Sequence, residues 1–546
     1  MRAIPFFALF LWLLLPSGAD ANNIQINNLS LSGQNDIDNF RLINYDISWS
    51  NSWRINVGPA NWDAAWIFAK YRLKTSNECH HATLNWVDGT GTGDGHVVPA
   101  GAVIRSNNDN GAGGAHGVFL YSNSIMAQGN VNYTGGRLRW NYAVDGLADA
   151  DSVEICLFAI EMVYVPPGAF FAGDGNPTIN GQLRVQAANT PFQIASEASI
   201  TLGGGGAAAL HNNNAAGQTG PDDFNNTASQ TLPAAYPKGF NAFYVMKYEI
   251  SQEQYVAFLN RLTRAQQAAR FVSTTVGNFK AAAVGQTIPV NRNGIRLFSD
   301  PGGLEPRVYI NDLNNNNIGG EAADGQNIAC NWLSYPDLLA YLDWAGLRPM
   351  TELEFEKACR GHLTPVPGEF AWGNTSIISA LSISNSGMSN EVPGAFANSV
   401  SGGAPGVTGP MRTGSLAQAG TNRIQAGATY YGIMDMTGNV WESVVPLGSA
   451  AGRSFTGLHG NGALHANGNA NVDFWPGVNG NITPATANTA VGAGVGSNAW
   501  AGISFTGGAW NAATWLTVSN REFRGSGFAS FARDTRNGGR GVRTAP

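Results

Sequence analysis

From Asn22 to about Ile160 the chain runs in short stretches that alternate apolar with polar residues: NIQINNLSLSG, FRLINYDISWS, AAWIFAKYRL, HATLNWVDG, GVFLYSN, GRLRWNYAV and VEICLFAI. Each is broken off by a cluster of Gly, Asn or Asp. Strands repeat every two residues and helices every 3.6, and helical periodicity is nearly absent here. Runs of this length at this spacing predict antiparallel strands packed as a β-sandwich over residues 22–160. Composition agrees. Charged residues make up 12% of the chain, against about 25% in an ordinary globular protein. With 69 glycines and 10% aromatics, the pattern is loop-rich and β-rich, with amides and hydroxyls covering the surface.

At 546 residues the chain exceeds what one hydrophobic core usually organises, and its character changes at Ile160. There IEMVYVPPGAFFAGDG runs from a strand through a Pro-Pro-Gly turn into a second strand. A second unit is expected over residues 161–546. Within it, 201–232 is low-complexity Gly/Ala/Asn and is expected as a flexible insertion. SQEQYVAFLNRLTRAQQAARF (251–271) has Ser251 and Gln254 in capping-box positions, followed by Tyr255, Phe258, Leu259 and Leu262 at helical spacing. SYPDLLAYLDWAG (334–346) and TELEFEKACRG (351–361) carry further helix starts at Ser334 and Thr351. The fold class expected is α+β: an N-terminal antiparallel β-sandwich, then a domain of long loops with two to three helices.

MRAIPFFALFLWLLLPSGADA has one Arg, an apolar run and a small-x-small ending at Ala21. It reads as a signal peptide over residues 1–21, which places the mature protein outside the cell, at its surface or in a periplasm. No later window is apolar for ~18 residues, so no membrane span is expected, and the N-terminal domain is the expected means of cell-surface attachment. A net charge of -6 without a basic block excludes the electrostatic footprint of a nucleic-acid binder. Four cysteines in an oxidising compartment suggest disulfides. They divide as Cys79 with Cys156 and Cys330 with Cys359; four buried free thiols are the alternative.

Five motifs now stand in order: IEMVYVPPGAFFAGDG, AFYVMKYEISQEQYVAFLN, LRPMTELEFEKACRG with FAWGN, TYYGIMDMTGNVWESV, and FTGGAW with GGRGVRTA. Together they resemble the formylglycine-generating-enzyme/sulfatase-modifying-factor family, whose fold is a variant of the C-type lectin fold. The resemblance covers about residues 160–546. It implies a scaffold role for Trp372, Trp441 and Trp510, large apolar bodies suited to pinning loops on a small sheet. Catalytic family members hold copper with a C-terminal cysteine pair, and soft thiolates suit Cu(I). Residues 507–543 contain no cysteine, so neither catalytic residues nor copper is expected. An iron-dependent branch needs three converging histidines, and the eight here lie mostly in Gly/Asn-rich loops, so iron is not expected either. The family's calcium is held near the Gly-Asn-x-Trp-Glu turn, which makes Asn439 and Glu442 the candidate metal ligands, with calcium in a structural role.

The segment NAATWLTVSNREFRGSGFASFARDTRN follows neither period and mixes rigid aromatics with small polar residues, as paratopes do. It also resembles the variable region of retroelement-diversified proteins that share this lectin-like fold. On that resemblance the ligand surface comprises Asn511, Thr514, Trp515, Asn520, Glu522, Phe523, Phe528, Phe531 and Asp534. The function expected is a secreted, non-catalytic protein that binds a protein or glycan ligand. The alternatives are a metal-dependent oxidoreductase of the same family and a structural subunit of a surface layer or filament.

Overall fold

The computed structural model describes residues 23–546 other than 88–93, 110, 112, 180, 187, 213–223, 225–227, 282, 476–503, 513–515, 520–521 and 524–532. The signal segment expected over 1–21 lies outside the described residues. The N-terminal strands form two packed antiparallel sheets. One has five strands in the order Gln25–Asn35, Phe40–Arg54, Met126–Trp140, Leu84–Asn85, Gly114–Ala115. The other has seven. Its main path runs Val542–Thr544, Phe243–Met246, Val153–Val165, Asp63–Leu73, Val118–Ser122, Ala102–Arg105, and His80–His81 pairs beside Asp63–Leu73.

The second sheet belongs to both halves of the chain. Strand Val153–Val165 pairs with Asp63–Leu73 from Val153 to Val163, and its end also pairs with Phe243–Met246, which in turn pairs with the last strand. The boundary expected at residue 160 therefore falls inside a continuous strand. Ala65, Ile67, Ala69 and Tyr71 face the sandwich core with Ile43, Ile47 and Trp140. On the opposite face Ala64, Trp66 and Phe68 join the core of the second half with Phe258, Tyr341 and Trp344. Both faces are covered, which is why AAWIFAKY is buried throughout instead of alternating.

Five helices occur among the described residues, against the two to three expected: α1 (Gln252–Leu259), α2 (Arg264–Arg270), α3 (Tyr335–Trp344), α4 (Glu352–Arg360) and the single turn α5 (Ala450–Arg453). The helix expected over 251–271 is two helices. Asn260 leaves the helix to exchange hydrogen bonds of 2.9 Å with the Tyr309 backbone, and Thr263 opens α2 with its own Thr263–Gln266 capping box. Capping boxes at Ser251–Gln254, Ser334–Asp337 and Thr351–Glu354 start α1, α3 and α4. The segment 201–232 carries short strands at its described ends, Ile200–Leu202, Leu210–Asn212 and Gln230–Leu232, within a four-stranded sheet. Leu202, Leu210, Phe224 and Leu232 anchor it in the main core.

All four cysteines are free, which corrects the disulfide expectation for Cys79, Cys156, Cys330 and Cys359. Cys156 pairs in register with Lys70, whereas Cys79 precedes the His80–His81 strand on the other side of Asp63–Leu73. Two strand spacings of about 4.8 Å separate them, beyond the ~7 Å Cα reach of a disulfide. Cys330 and Cys359 are buried in different apolar clusters.

The seam between the halves is polar at its centre. Arg543 reaches Asp109 and the Gly346 carbonyl, and Lys70 donates to the Gly462 carbonyl at 2.6 Å. His459 Nε2 accepts from the Thr544 N–H at 3.0 Å, and its Nδ1 lies 3.5 Å from Asp109. Burial, then the charge of Arg543, holds His459 down to about 3, and burial chiefly holds His116 down to about 4. A histidine depressed by folding takes up its proton more readily when unfolded, so its contribution to stability falls as pH drops from ~6.5 toward the folded value. We expect the cost of His459→Gln, measured by urea unfolding, to shrink between pH 6.5 and 4, by at most about 1.4 kcal/mol per pH unit. A cost independent of pH would show that His459 is not held neutral.

Candidate functional site

The stretch 429–445 is a turn followed by a strand. Asp435, Gly438 and Asn439 adopt positive φ of 61°, 92° and 65°, conformations that Gly, Asn and Asp tolerate best. The turn is tied on three sides: Gly438 N–H to the Gly507 carbonyl (2.6 Å), Asn439 N–H to the Val400 carbonyl (2.8 Å), and Trp510 N–H to the Asn439 carbonyl (2.8 Å). Gly438 also lies against Val400, where an added Cβ would sit 2.6 Å from the carbonyl oxygen. Strand Trp441–Val444 follows, with Ser504–Thr506 antiparallel on one side and Asn537–Gly538 parallel on the other. The chain between Thr506 and Asn537 therefore leaves and returns on opposite sides of this one strand.

The polar residues of the motif form a buried network. Asn439 Nδ2 donates to Glu249 Oε2 (2.5 Å) and its Oδ1 accepts from the Met411 N–H (2.8 Å); the Val440 N–H reaches Glu249 Oε1 (3.0 Å). Arg540 Nε donates to Glu442 Oε1 at 2.8 Å, and its Nη1 reaches the Met246 and Lys247 carbonyls. Asp435 accepts from the Gly414 N–H at 2.6 Å. Burial pushes the carboxyls of Glu249, Asp435 and Glu442 upward, and the Arg540 guanidinium draws all three back. The sequence reading missed Glu249 and Arg540; charged residues inside the apolar run AFYVMKYEI and the glycine-flanked GGRGV were the available signals.

Both residues expected to hold calcium are engaged by protein groups, while Asp435 Oδ1 and Glu442 Oε2 have no hydrogen-bond partner among the described residues. A calcium ion takes six to eight oxygens. The Asn439 side-chain oxygen is engaged by a backbone N–H, and the Glu442 carboxylate lies 2.7 Å from Arg540 Nη2. Among the described residues no group of three or more His, Cys, Asp or Glu side chains is arranged to hold a metal ion. Trp372, Trp441 and Trp510 are buried, as a scaffold role requires. Arg348 holds Glu354 through two hydrogen bonds of 2.8 and 2.6 Å at the start of α4.

Of the nine residues expected to form a ligand surface, Thr514, Trp515, Asn520, Phe528 and Phe531 lie outside the described residues. Asn511 is exposed in the turn after Trp510. Glu522 and Phe523 form a short strand whose backbone pairs with Ser504 and Phe505, at the edge of the sheet built on Trp441–Val444. Asp534, half-buried, forms an ion pair with Arg536 (2.8 Å), whose guanidinium stacks 4.1 Å over Trp441. The structure thus places the Glu522–Phe523 backbone at the edge of that four-stranded sheet and Asp534 just before its Asn537–Gly538 strand, whereas Asn511 lies beside Gly403.

A β-rich α+β chain with few helices, whose motif strand clamps a C-terminal segment, is compatible with a C-type lectin-like fold. The chain belongs to the family described as sulfatase-modifying factor enzyme 1-like domain, which matches residues 193–492. It is similar to the formylglycine-generating enzyme of Mycobacterium tuberculosis (strain ATCC 25618 / H37Rv), with 35% identity over 112 residues. That match spans 20% of this chain and 30% of the relative's length.

Proposed function

We propose that this chain is a non-catalytic ligand-binding member of its family, exported from the cell, with a C-type lectin-like scaffold that presents its binding surface from residues 507–543. The observation that carries the reading is the location of the thiols. The 507–543 segment contains no cysteine. The last cysteine in the chain, Cys359, is buried in α4, where burial and then the charge of Glu442 hold its thiol well above its ordinary value. Burial likewise pushes Cys330 up to about 12. Neither thiol is poised to become a thiolate, the form that binds metal and attacks. The mixed aromatic and polar composition of the segment supports diversification of that surface as part of the same reading, with a protein or glycan as ligand.

The similarity to a formylglycine-generating enzyme favours a second reading, a metal-dependent oxidoreductase. One assay separates the two. Purified protein, supplied with copper(I), oxygen and a cysteine-bearing peptide, should give no aldehyde by mass spectrometry. Turnover that disappears on Cys359→Ala would overturn the non-catalytic reading. Diversification makes a separate demand on the DNA: a near-copy of the sequence encoding 507–543, differing only at adenines, should lie beside a reverse transcriptase.

A further inference from the structure

A cavity of about 630 Å³ opens between the N-terminal sheets and the residues leading into the motif, and none of its lining residues belongs to 507–543. This volume falls within the range of small-molecule sites, about 300–1,000 Å³. Its first wall is Trp53, whose ring lies over Gly432: a Cβ there would meet the ring at 3.1 Å, and Gly432 has a φ of 85°. Asn61 fixes this wall, accepting from Trp53 Nε1 at 3.2 Å while its own Nδ2 donates to the Tyr431 carbonyl at 2.8 Å. The opposite wall is the loop 417–430, held by Tyr248 packed with Ala426, Ala428 and Met434. Both halves of the chain are needed to build the cavity.

Its chemistry is one-sided. The lining includes Lys247, Arg412 and Arg423 but no Asp or Glu. Lys247 is neutralised from behind by Glu161 at 3.0 Å and Asp63 at 3.9 Å. Arg412 donates to the Glu391 carbonyl. The Arg412 charge also acts on the buried Asp435. Arg423 donates to the Ala371 and Ala428 carbonyls and sits 5.6 Å from the Tyr430 ring; Glu369, the carboxylate whose charge acts on it, lies beyond ion-pair distance and is itself paired with Arg360. Amides of Asn51, Gln128, Asn390, Gln418 and Asn422 complete the lining. Aromatic faces suit the C–H face of a pyranose, amides both donate to and accept from hydroxyls, and an unpaired guanidinium suits an anionic group.

We infer that this cavity is a binding site for an acidic saccharide, with a sugar ring against Trp53 and Tyr430 and its carboxylate or sulfate ester at Arg423. None of the residues expected to form the C-terminal surface lines it. The test is tryptophan-fluorescence titration of the full chain with three probes: trigalacturonate (carboxylate), a heparin-derived tetrasaccharide (sulfate) and maltotriose (neutral). At least one acidic probe should bind, at least tenfold tighter than maltotriose, and Arg423→Gln should weaken it about tenfold or more. Gln418→Glu, an exposed rim change that leaves the fold intact, should weaken the same probe several-fold by placing a carboxylate at the mouth. Asn511→Ala with Asp534→Ala should leave this binding unchanged, which separates the site from the C-terminal surface. The inference is overturned if neither acidic probe binds, if maltotriose binds as well as they do, or if Gln418→Glu has no effect.

Discussion

Replacing Arg540 with Met should destabilise the protein by about 3–5 kcal/mol, the usual penalty for removing one partner from a buried charge pair. That is a large part of a typical total of about 5–15 kcal/mol. Arg540 is buried and is the cation that Glu249, Asp435 and Glu442 share. Without it, three buried carboxyls face one another with only Arg412 in electrostatic reach of Asp435. Two outcomes distinguish this from simple loss of packing. Adding Glu442→Gln to Arg540→Met should recover part of the loss, because one uncompensated charge goes with it. The loss should also narrow as pH falls. Carboxyls raised by folding hold more protons in the native than in the unfolded state, so stability increases as pH drops from the raised folded value toward ~4.5. Losing Arg540 raises these carboxyls further and widens that window. Guanidinium unfolding monitored by circular dichroism at pH 7.5 and pH 5 measures both effects. A loss that does not change with pH, and that Glu442→Gln does not relieve, would show that packing alone is at stake.

What was legible in the sequence was local. The capping boxes at Ser251, Ser334 and Thr351 are written within four residues, and each starts a helix where expected. The order of the family motifs is likewise a linear signal. What escaped detection depends on residues far apart. The split between α1 and α2 is decided by Asn260 finding the Tyr309 backbone, 49 residues away. The disulfide expectation rested on counting, but pairing is decided by which side of Asp63–Leu73 each thiol occupies. For the motif itself, Asn439 and Glu442 were expected as metal ligands from residue type and position, while Arg540, the cation that meets Glu442, comes from 98 residues later in the chain. The cavity is the extreme case, since Trp53 and Gly432 meet only once the two halves share a sheet. One clue to that sharing was present although the stretch was read as alternating: AAWIFAKY has Lys70 as its one charged residue, and a strand that is apolar on both faces has both faces covered.

The seam so formed makes Trp66→Ala the second severe change. Trp66 is fully buried on the strand that both halves share. Its ring packs on Phe119 with centroids 4.8 Å apart, Arg543 lies 4.2 Å over its face, and its Nε1 donates to the Ala345 carbonyl at the end of α3 at 2.8 Å. The fit is close, since a Cβ on Gly117 would sit 2.6 Å from the ring, leaving no slack to collapse into the space vacated. Truncation therefore loses the transfer energy and leaves a cavity, together about 3–5 kcal/mol. Trp66→Phe keeps most of the apolar body but strands a buried carbonyl acceptor, an expected loss of about 1–3 kcal/mol. Because Trp66 touches Phe119 of the N-terminal sheets, Ala345 of α3 and Arg543 of the last strand, its removal should lower far-ultraviolet and near-ultraviolet transitions together. Should Trp66→Ala instead split unfolding into two separate transitions, with one half unaffected, the shared sheet would not be what makes the halves fold as a unit.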